Sequence, residues 1–419
     1  MASSSAITID TSKQKTMTFP LFMLLFYIIA EYARPGFLSP LRPALLAQII
    51  LMLSLLSDKK KTMLVIKERF FKLYFLLLLL MVLHVFIAVN NFWALMQLQV
   101  MFSYLIIGVS CCVFIDTTRK LYILLSFFIL VMVLCAINRI IGSGFIGVTG
   151  PMGDTNDFAL AMNVALPISF FLGRTEEGGR KWFFWSASVL FVIANMSCAS
   201  RGGFLGLAVV GTVCWLYSKQ KFKSFLAITV LALIAWNFAA PDFRKEILDI
   251  GSESADKDTG KDRVELWKVA WRAFEDNPVL GVGQGNMPII FGKYQKDESG
   301  ESYWRRDYFG RAVHSVYFTL LPELGLVGTL IFALMLKEMA KKFKQIKATY
   351  NNKNSDWQFR KLESMNIGLL LSLFGFLASG VFLSALYYPE VWNISALIVT
   401  LYFISSENEK RLGEYPDYA

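Results

Sequence analysis

Histidine is almost missing from this chain: His84 and His314 are the two in 419 residues. That leaves no histidine cluster to build a metal site, and it narrows proton transfer near neutral pH to two imidazoles. Cysteine is scarce as well. Cys111, Cys112, Cys135, Cys198 and Cys214 are odd in number and sit in or beside apolar segments. The pattern excludes a disulfide framework and offers no zinc spacing. Charge is thin, at 18% of residues against 55% hydrophobic, and the mean hydropathy is +0.48. Those values exclude an ordinary soluble domain and point to a polytopic membrane protein. The net charge of +10 invites a nucleic-acid reading, but the basic residues lie in short loops between apolar runs, so nucleic acid is rejected.

What is present is apolar sequence in long runs. About twelve segments reach or approach the ~20 residues that a membrane-crossing helix needs. They are Phe19–Ala33, Phe37–Leu56, Phe71–Val89, Phe92–Ile115, Leu121–Gly142, Phe158–Gly173, Trp182–Ser200, Phe204–Tyr217, Phe225–Ala240, Val313–Leu336, Ile367–Tyr387 and Val391–Ser405. The second is interrupted by Pro40 and Pro43. SDKKKTMLVIKERF, DTTRK, RTEEGGRK, SKQKFK and KEMAKKFKQIK all fall on one side if the helices alternate. The positive-inside rule makes that side cytoplasmic. The fold expected is therefore an all-α polytopic membrane protein with a large, partly helical periplasmic or extracellular loop between helices 9 and 10. Residues 1–18 form a polar cytoplasmic lead-in without a cleavable signal pattern, 19–240 hold helices 1–9, and 241–312 the loop. Residues 313–405 hold helices 10–12, and 406–419 a cytoplasmic tail.

The loop has its own organisation. Val264, Trp267, Trp271 and Phe274 recur at three- and four-residue spacing, which predicts an amphipathic helix over 262–276. Asn277-Pro278 ends it, and GVGQGN reads as a glycine-rich turn. The density of tryptophan and tyrosine predicts a loop lying on the bilayer interface.

His314 is expected at the first turn of the helix that follows this loop, well placed to act as a general base. Arg201, beside Gly202 and Gly203, and Arg263, at the start of the amphipathic helix, offer guanidinium forks suited to a phosphate or pyrophosphate. Arg272, Arg305, Arg306 and Arg311 are weaker arginine candidates, and Trp267 and Tyr317 are further secondary ones. Glu323 lies nine residues beyond His314, about 13 Å deeper along a continuous helix, and needs a partner there. His84 is expected to hydrogen-bond a neighbouring helix. Asp154 and Asp157 are three apart, but Asp157 reads as a helix N-cap, so no metal site is expected.

These pieces, in this order, resemble the O-antigen ligases and their relatives, the O-antigen polymerases and bacterial O-linked oligosaccharyltransferases. The motifs are GDTNDFALAMNVALP, the Ser200-Arg201-Gly202 turn, Arg263 and Trp267 followed by NPVLGVGQGN, HSVYFTLLPELGLVG, and a closing GVFLSALYY. The resemblance implies an architecture similar to the lipid-linked-sugar glycosyltransferases. It implies a glycan donor on undecaprenyl pyrophosphate, a periplasmic hydroxyl acceptor such as lipid A-core, and metal-independent transfer without a cofactor at the inner membrane. In family terms Arg201 and Arg263 hold the donor pyrophosphate and His314 is catalytic. Ser315 stands where many ligases carry asparagine, and the closing segment is closer to exopolysaccharide-linked relatives. The alternatives are a polymerase, for which Arg272 and Gly283 match an arginine–ten–glycine spacing, and a polytopic transporter or flippase.

The orientation is testable by thiol labelling in a cysteine-free background. Cysteines at Ser252 and Ser299 should react with a membrane-impermeant reagent in outer-permeabilised cells, and one at Ser355 should stay protected until the inner membrane is broken. Labelling at Ser355 alone reverses the topology.

Overall fold

In this computed structural model the described residues are 17–142, 153–198, 200–218, scattered positions from 221 to 233, 259–296, 309–351 and 357–414. Fourteen helices can be numbered along them: α1 (Phe19–Ile28, continued by a π turn at Ile29–Ala33), α2 (Pro43–Leu55), α3 (Lys59–Ile66), α4 (Arg69–Ile87), α5 (Asn91–Phe114), α6 (Thr118–Ile141) and α7 (Thr155–Gly173). Next come α8 (Gly178–Ser197), α9 (Arg201–Leu216), α10 (Thr259–Asp276), α11 (Met287–Tyr294), α12 (Val316–Asn351), α13 (Trp357–Ser379) and α14 (Pro389–Glu414). No strand occurs among the described residues. Among the described residues six helices, α4, α5, α6, α7, α12 and α13, are long and apolar enough to cross a membrane, against about twelve segments expected. The expected segment at Phe225–Ala240 lies for the most part outside the described residues, as do 241–258, 297–308 (with Arg305 and Arg306) and the last five positions.

Side-chain caps start the helices where the sequence changes character. Asn90 accepts from the Trp93 N–H at 3.1 Å, Thr117 from Lys120 at 3.3 Å, and Ser200 from Gly203 at 2.9 Å. The cap of α7 is Asp154, which accepts from Asn156 N–H at 2.7 Å. Asp157, expected as that cap, sits inside the first turn and instead accepts from the Tyr388 hydroxyl at 2.8 Å. Pro43 occupies the first position of α2, where its missing N–H costs nothing, and Pro40 lies in the preceding 3₁₀ turn.

Helix α7 is buried along nearly its whole length and packs against α8, α9 and α13. Helix α12 packs against α4, α13 and α14. Buried ion pairs gather several basic segments at one end of this bundle. Lys342 Nζ meets Glu68 at 2.6 Å and lies 3.9 Å from the Tyr402 ring centre. Lys361 Nζ meets Glu176 at 2.7 Å and lies 3.8 Å from that of Tyr122. An ion stripped of water tolerates no absent partner, so these pairs fix which helix ends meet.

The helix after the large loop is not continuous. At Gly325 the backbone turns to φ 61°, ψ −167°, which splits α12 into 316–324 and 326–351. The depth assigned to Glu323 along an unbroken helix is therefore corrected: it lies at the end of the first half. Pro322 contributes to the interruption, since it has no N–H to continue the ladder. Residues 278–283 repair the break. Val282 and Gly283 donate to the carbonyls of Pro322 and Glu323 at 2.8 and 2.9 Å, while Leu326 and Val327 donate to those of Pro278 and Val279 at 2.8 and 3.2 Å. The predicted surface turn is thus an inserted segment, with Gln284 and Asn286 fully buried. Interfacial aromatics mark the helix before it, but buried amides and glycines let the segment itself go inside.

The approach requires glycine on both sides. A Cβ at Gly281 would lie 2.6 Å from the Glu323 carbonyl carbon, and one at Gly325 would lie 2.6 Å from that of Leu280. Gly325→Ala should lower the midpoint of thermal unfolding in detergent, because strain at such a φ adds roughly 1–3 kcal/mol to the steric clash. An unchanged midpoint would mean that the helix runs straight through position 325.

Candidate functional site

The end of the bundle opposite the buried ion pairs carries the candidate residues, and amides hold its frame. Asn195 Nδ2 donates to Asn163 Oδ1 at 2.9 Å and to the Ala159 carbonyl at 3.0 Å. Asn163 Nδ2 in turn donates to the Gly203 carbonyl and to Ser379 Oγ, both at 2.9 Å. This buried chain ties α7, α8, the first turn of α9 and the end of α13 together.

Directly beyond α13 lies the 380–388 segment, GVFLSALYY. Phe382 is its centre. A Cβ added at Gly202 would lie 2.9 Å from Phe382 Cβ, so the start of α9, with Arg201 at its first position, abuts this ring. The Arg201 side chain lies outside the described part. From the other direction the Arg263 guanidinium stands 5.9 Å from the Phe382 ring centre, and the Trp267 ring 6.0 Å from it.

Trp267 also braces the chain that leads to His314. Its ring stacks on Phe318 at 5.2 Å and 7°, and its Nε1 donates to the Val313 carbonyl at 3.2 Å. His314 is not in the first turn of α12, as expected, but two residues before it, with a left-handed φ of 56°. Ser315 caps the helix instead, its Oγ accepting from Phe318 N–H at 3.4 Å. Serine and asparagine are both good N-caps, so the serine is a conservative change for this purpose. His314 is half-buried, and burial holds its imidazole below the ordinary histidine pKa. The nearby charges of Arg263 and Arg311 push the same way, while Asp154 opposes them.

Residues 186–333 match the family model described as O-antigen ligase. That stretch, about a third of the chain, is similar to the O-antigen ligases and supports a relation to their superfamily. No curated protein matches it. The matched stretch takes in Arg201, Arg263, His314 and the break at Gly325, and stops short of the 380–388 segment.

The secondary candidates fall into different places. Arg311 is exposed beside His314, whereas Arg272 is nine residues along α10 from Arg263, roughly 13 Å at 1.5 Å per residue. Tyr317 donates its hydroxyl to the Leu377 carbonyl at 3.0 Å, which links α12 to α13. Glu323 is fully buried, and its partners are two backbone N–H groups and a tyrosine hydroxyl. Its carboxylate accepts from the N–H groups of Gly285 and Met287 at 2.8 and 3.2 Å and from the Tyr387 hydroxyl at 2.7 Å. It thereby serves the N-terminus of α11, where a negative charge is favoured. His84 likewise reaches the inserted segment rather than a neighbouring helix, with Nδ1 3.0 Å from Gln284 Oε1 and Nε2 2.9 Å from the Leu280 carbonyl oxygen. No group of three His, Cys, Asp or Glu side chains able to hold a metal occurs among the described residues. The sequence singled out neither Phe382 nor Ser384, which carry no chemical signature by themselves; only their place in GVFLSALYY pointed at them.

Glu323→Ala leaves two buried N–H groups and one hydroxyl without their acceptor, at about 1–3 kcal/mol each. Thermal unfolding in detergent should show a large loss for alanine and a smaller one for Glu323→Gln, which keeps an acceptor oxygen. Equal stability of all three proteins would mean that the carboxylate does not hold the inserted segment.

Proposed function

We propose that the protein is a membrane glycosyltransferase of the O-antigen ligase type. On this reading it transfers a glycan en bloc from undecaprenyl pyrophosphate to a hydroxyl acceptor such as lipid A-core, on the periplasmic side of the bacterial inner membrane. The observation that carries the reading is the meeting of the α9 start, Arg263 and Trp267 around Phe382, with Trp267 bonded to the chain next to His314. The family match, which takes in the α9 start, Arg263, Trp267 and His314 but not Phe382, supports it.

The reaction is a single displacement. The acceptor O–H gives its proton to the neutral imidazole of His314 as its oxygen attacks the anomeric carbon. The bond from that carbon to the pyrophosphate oxygen breaks, and undecaprenyl pyrophosphate leaves with the electron pair. Arg201 and Arg263 hold the two phosphoryl groups, where negative charge grows in the transition state. The reading uses no metal and no cofactor. The polymerase alternative drew on Gly283, but its N–H is committed to the Glu323 carbonyl and a Cβ there would lie 2.6 Å from that of Ala88. Packing accounts for that glycine. The transporter alternative draws no support from the matched family.

His314→Ala should leave a folded protein whose transfer from a lipid-linked glycan falls roughly 10²–10⁴-fold, the usual contribution of positioned proton transfer. Arg201→Lys or Arg263→Lys should lose most activity, because lysine keeps the charge and loses the fork. Transfer should survive EDTA. The rate should hold as pH drops through the ordinary histidine range and fall below it, since burial and Arg263 keep the imidazole neutral there. Robust transfer by folded His314→Ala would remove the histidine from the mechanism.

A further inference from the structure

A residue with a side chain pays of order 1 kcal/mol or more to adopt a left-handed backbone, and such a conformation persists only where its surroundings fix it. At His314, with φ 56°, the fixing contact is visible: its N–H donates to Ser384 Oγ at 2.8 Å. Ser384 Oγ lies 3.4 Å from Thr319 Oγ1, and Thr319 donates its own hydroxyl proton to the Ser315 carbonyl at 2.7 Å. The Thr319 hydroxyl is also the donor to Ser384 Oγ, a longer contact shared with the Ser315 carbonyl, and Ser384 keeps a further lone pair for the His314 N–H.

Ser384 is itself held firmly. Tyr387 is bonded to Glu323 at 2.7 Å and Tyr388 to Asp157 at 2.8 Å, while Trp392 Nε1 donates to the Leu386 carbonyl at 2.9 Å. The segment is thereby pinned to α12, α7 and α14. Backbone and side chain move together at one residue, so the hydroxyl that sets the His314 backbone also sets where its imidazole stands. We propose that Ser384 is a positioning residue for the transfer reaction, fixing the imidazole of His314 relative to Arg263 on α10, Arg311 on its own segment and Asp154 ahead of α7. The proposal rests on the transferase reading for its purpose, but not for its test.

The test is the pH dependence of diethyl pyrocarbonate modification of the full-length protein in detergent, followed by mass spectrometry. Only neutral imidazole reacts, so the midpoint of the rate curve reports the pKa of His314. His84, fully buried and engaged at both ring nitrogens, is the internal control for folding. The wild-type midpoint should lie below that of an ordinary histidine. Ser384→Ala should raise the midpoint and speed modification severalfold, as the ring leaves its half-buried place beside Arg263. Ser384→Thr, which keeps the hydroxyl, should restore both values. Should Ser384→Ala expose His84 by unfolding, Thr319→Val, which removes the partner that orders Ser384, should move the midpoint the same way. A wild-type midpoint and rate in folded Ser384→Ala, or in folded Thr319→Val where the alanine variant unfolds, overturns the proposal. The measurement needs no substrate, so failure of the transferase reading, seen as an active His314→Ala, stays distinct from failure of this one.

Discussion

A helix broken at Gly325 presents two carbonyls and two N–H groups that have lost their helical partners, and the 278–283 segment supplies all four. In a buried, water-poor setting each such group left unpaired costs several kcal/mol, so break and insertion exist only together. The Glu323 carboxylate secures the arrangement from inside by taking N–H groups at the start of α11. Much of the candidate site hangs on this clasp. Tyr387 donates to the same carboxylate, which anchors the 380–388 segment, and that segment carries both Phe382 and Ser384. The inserted segment also follows α10 directly, so the clasp sets where that helix, with Arg263 and Trp267, begins its return to the bundle.

The helices were legible because apolar length is a property of contiguous sequence. The eleven expected segments within the described residues each overlap a helix, though α12 and α14 run nine or more residues past the expected ends and α13 is shifted by eight to ten residues toward the N-terminus. The break in α12 was not legible. Proline and glycine are tolerated inside apolar helices, and the groups that repair this break lie some forty residues earlier in the chain. The same distance hid the partners of His84, expected to bond a neighbouring helix, and of Glu323, a weaker candidate for chemistry; both hold the inserted segment. His314 was legible as a residue and misplaced as a conformation. A left-handed histidine before an N-cap leaves no trace in composition, since the contact that fixes it comes from Ser384, seventy positions on. Arg263 and Trp267 were legible together because the helical period puts them on one face, and that face does meet Phe382 and Phe318.

The electrostatics at His314 tie these placements to the chemistry proposed. An imidazole beside a guanidinium is a poor place for a proton, and burial adds to the penalty, so the free site keeps the histidine neutral. The arginine that suppresses protonation is also the one assigned to the pyrophosphate. On the proposed reading, a pyrophosphate bound at Arg263 would cancel part of its field at the imidazole and so raise the basicity of His314. Asp154 acts in the same direction. On that reading the histidine would be a neutral base before the donor arrives and better able to hold a proton afterwards. That ordering requires the imidazole to stay within reach of both charges, and a backbone conformation that Ser384 fixes and Trp267 braces is what keeps it there.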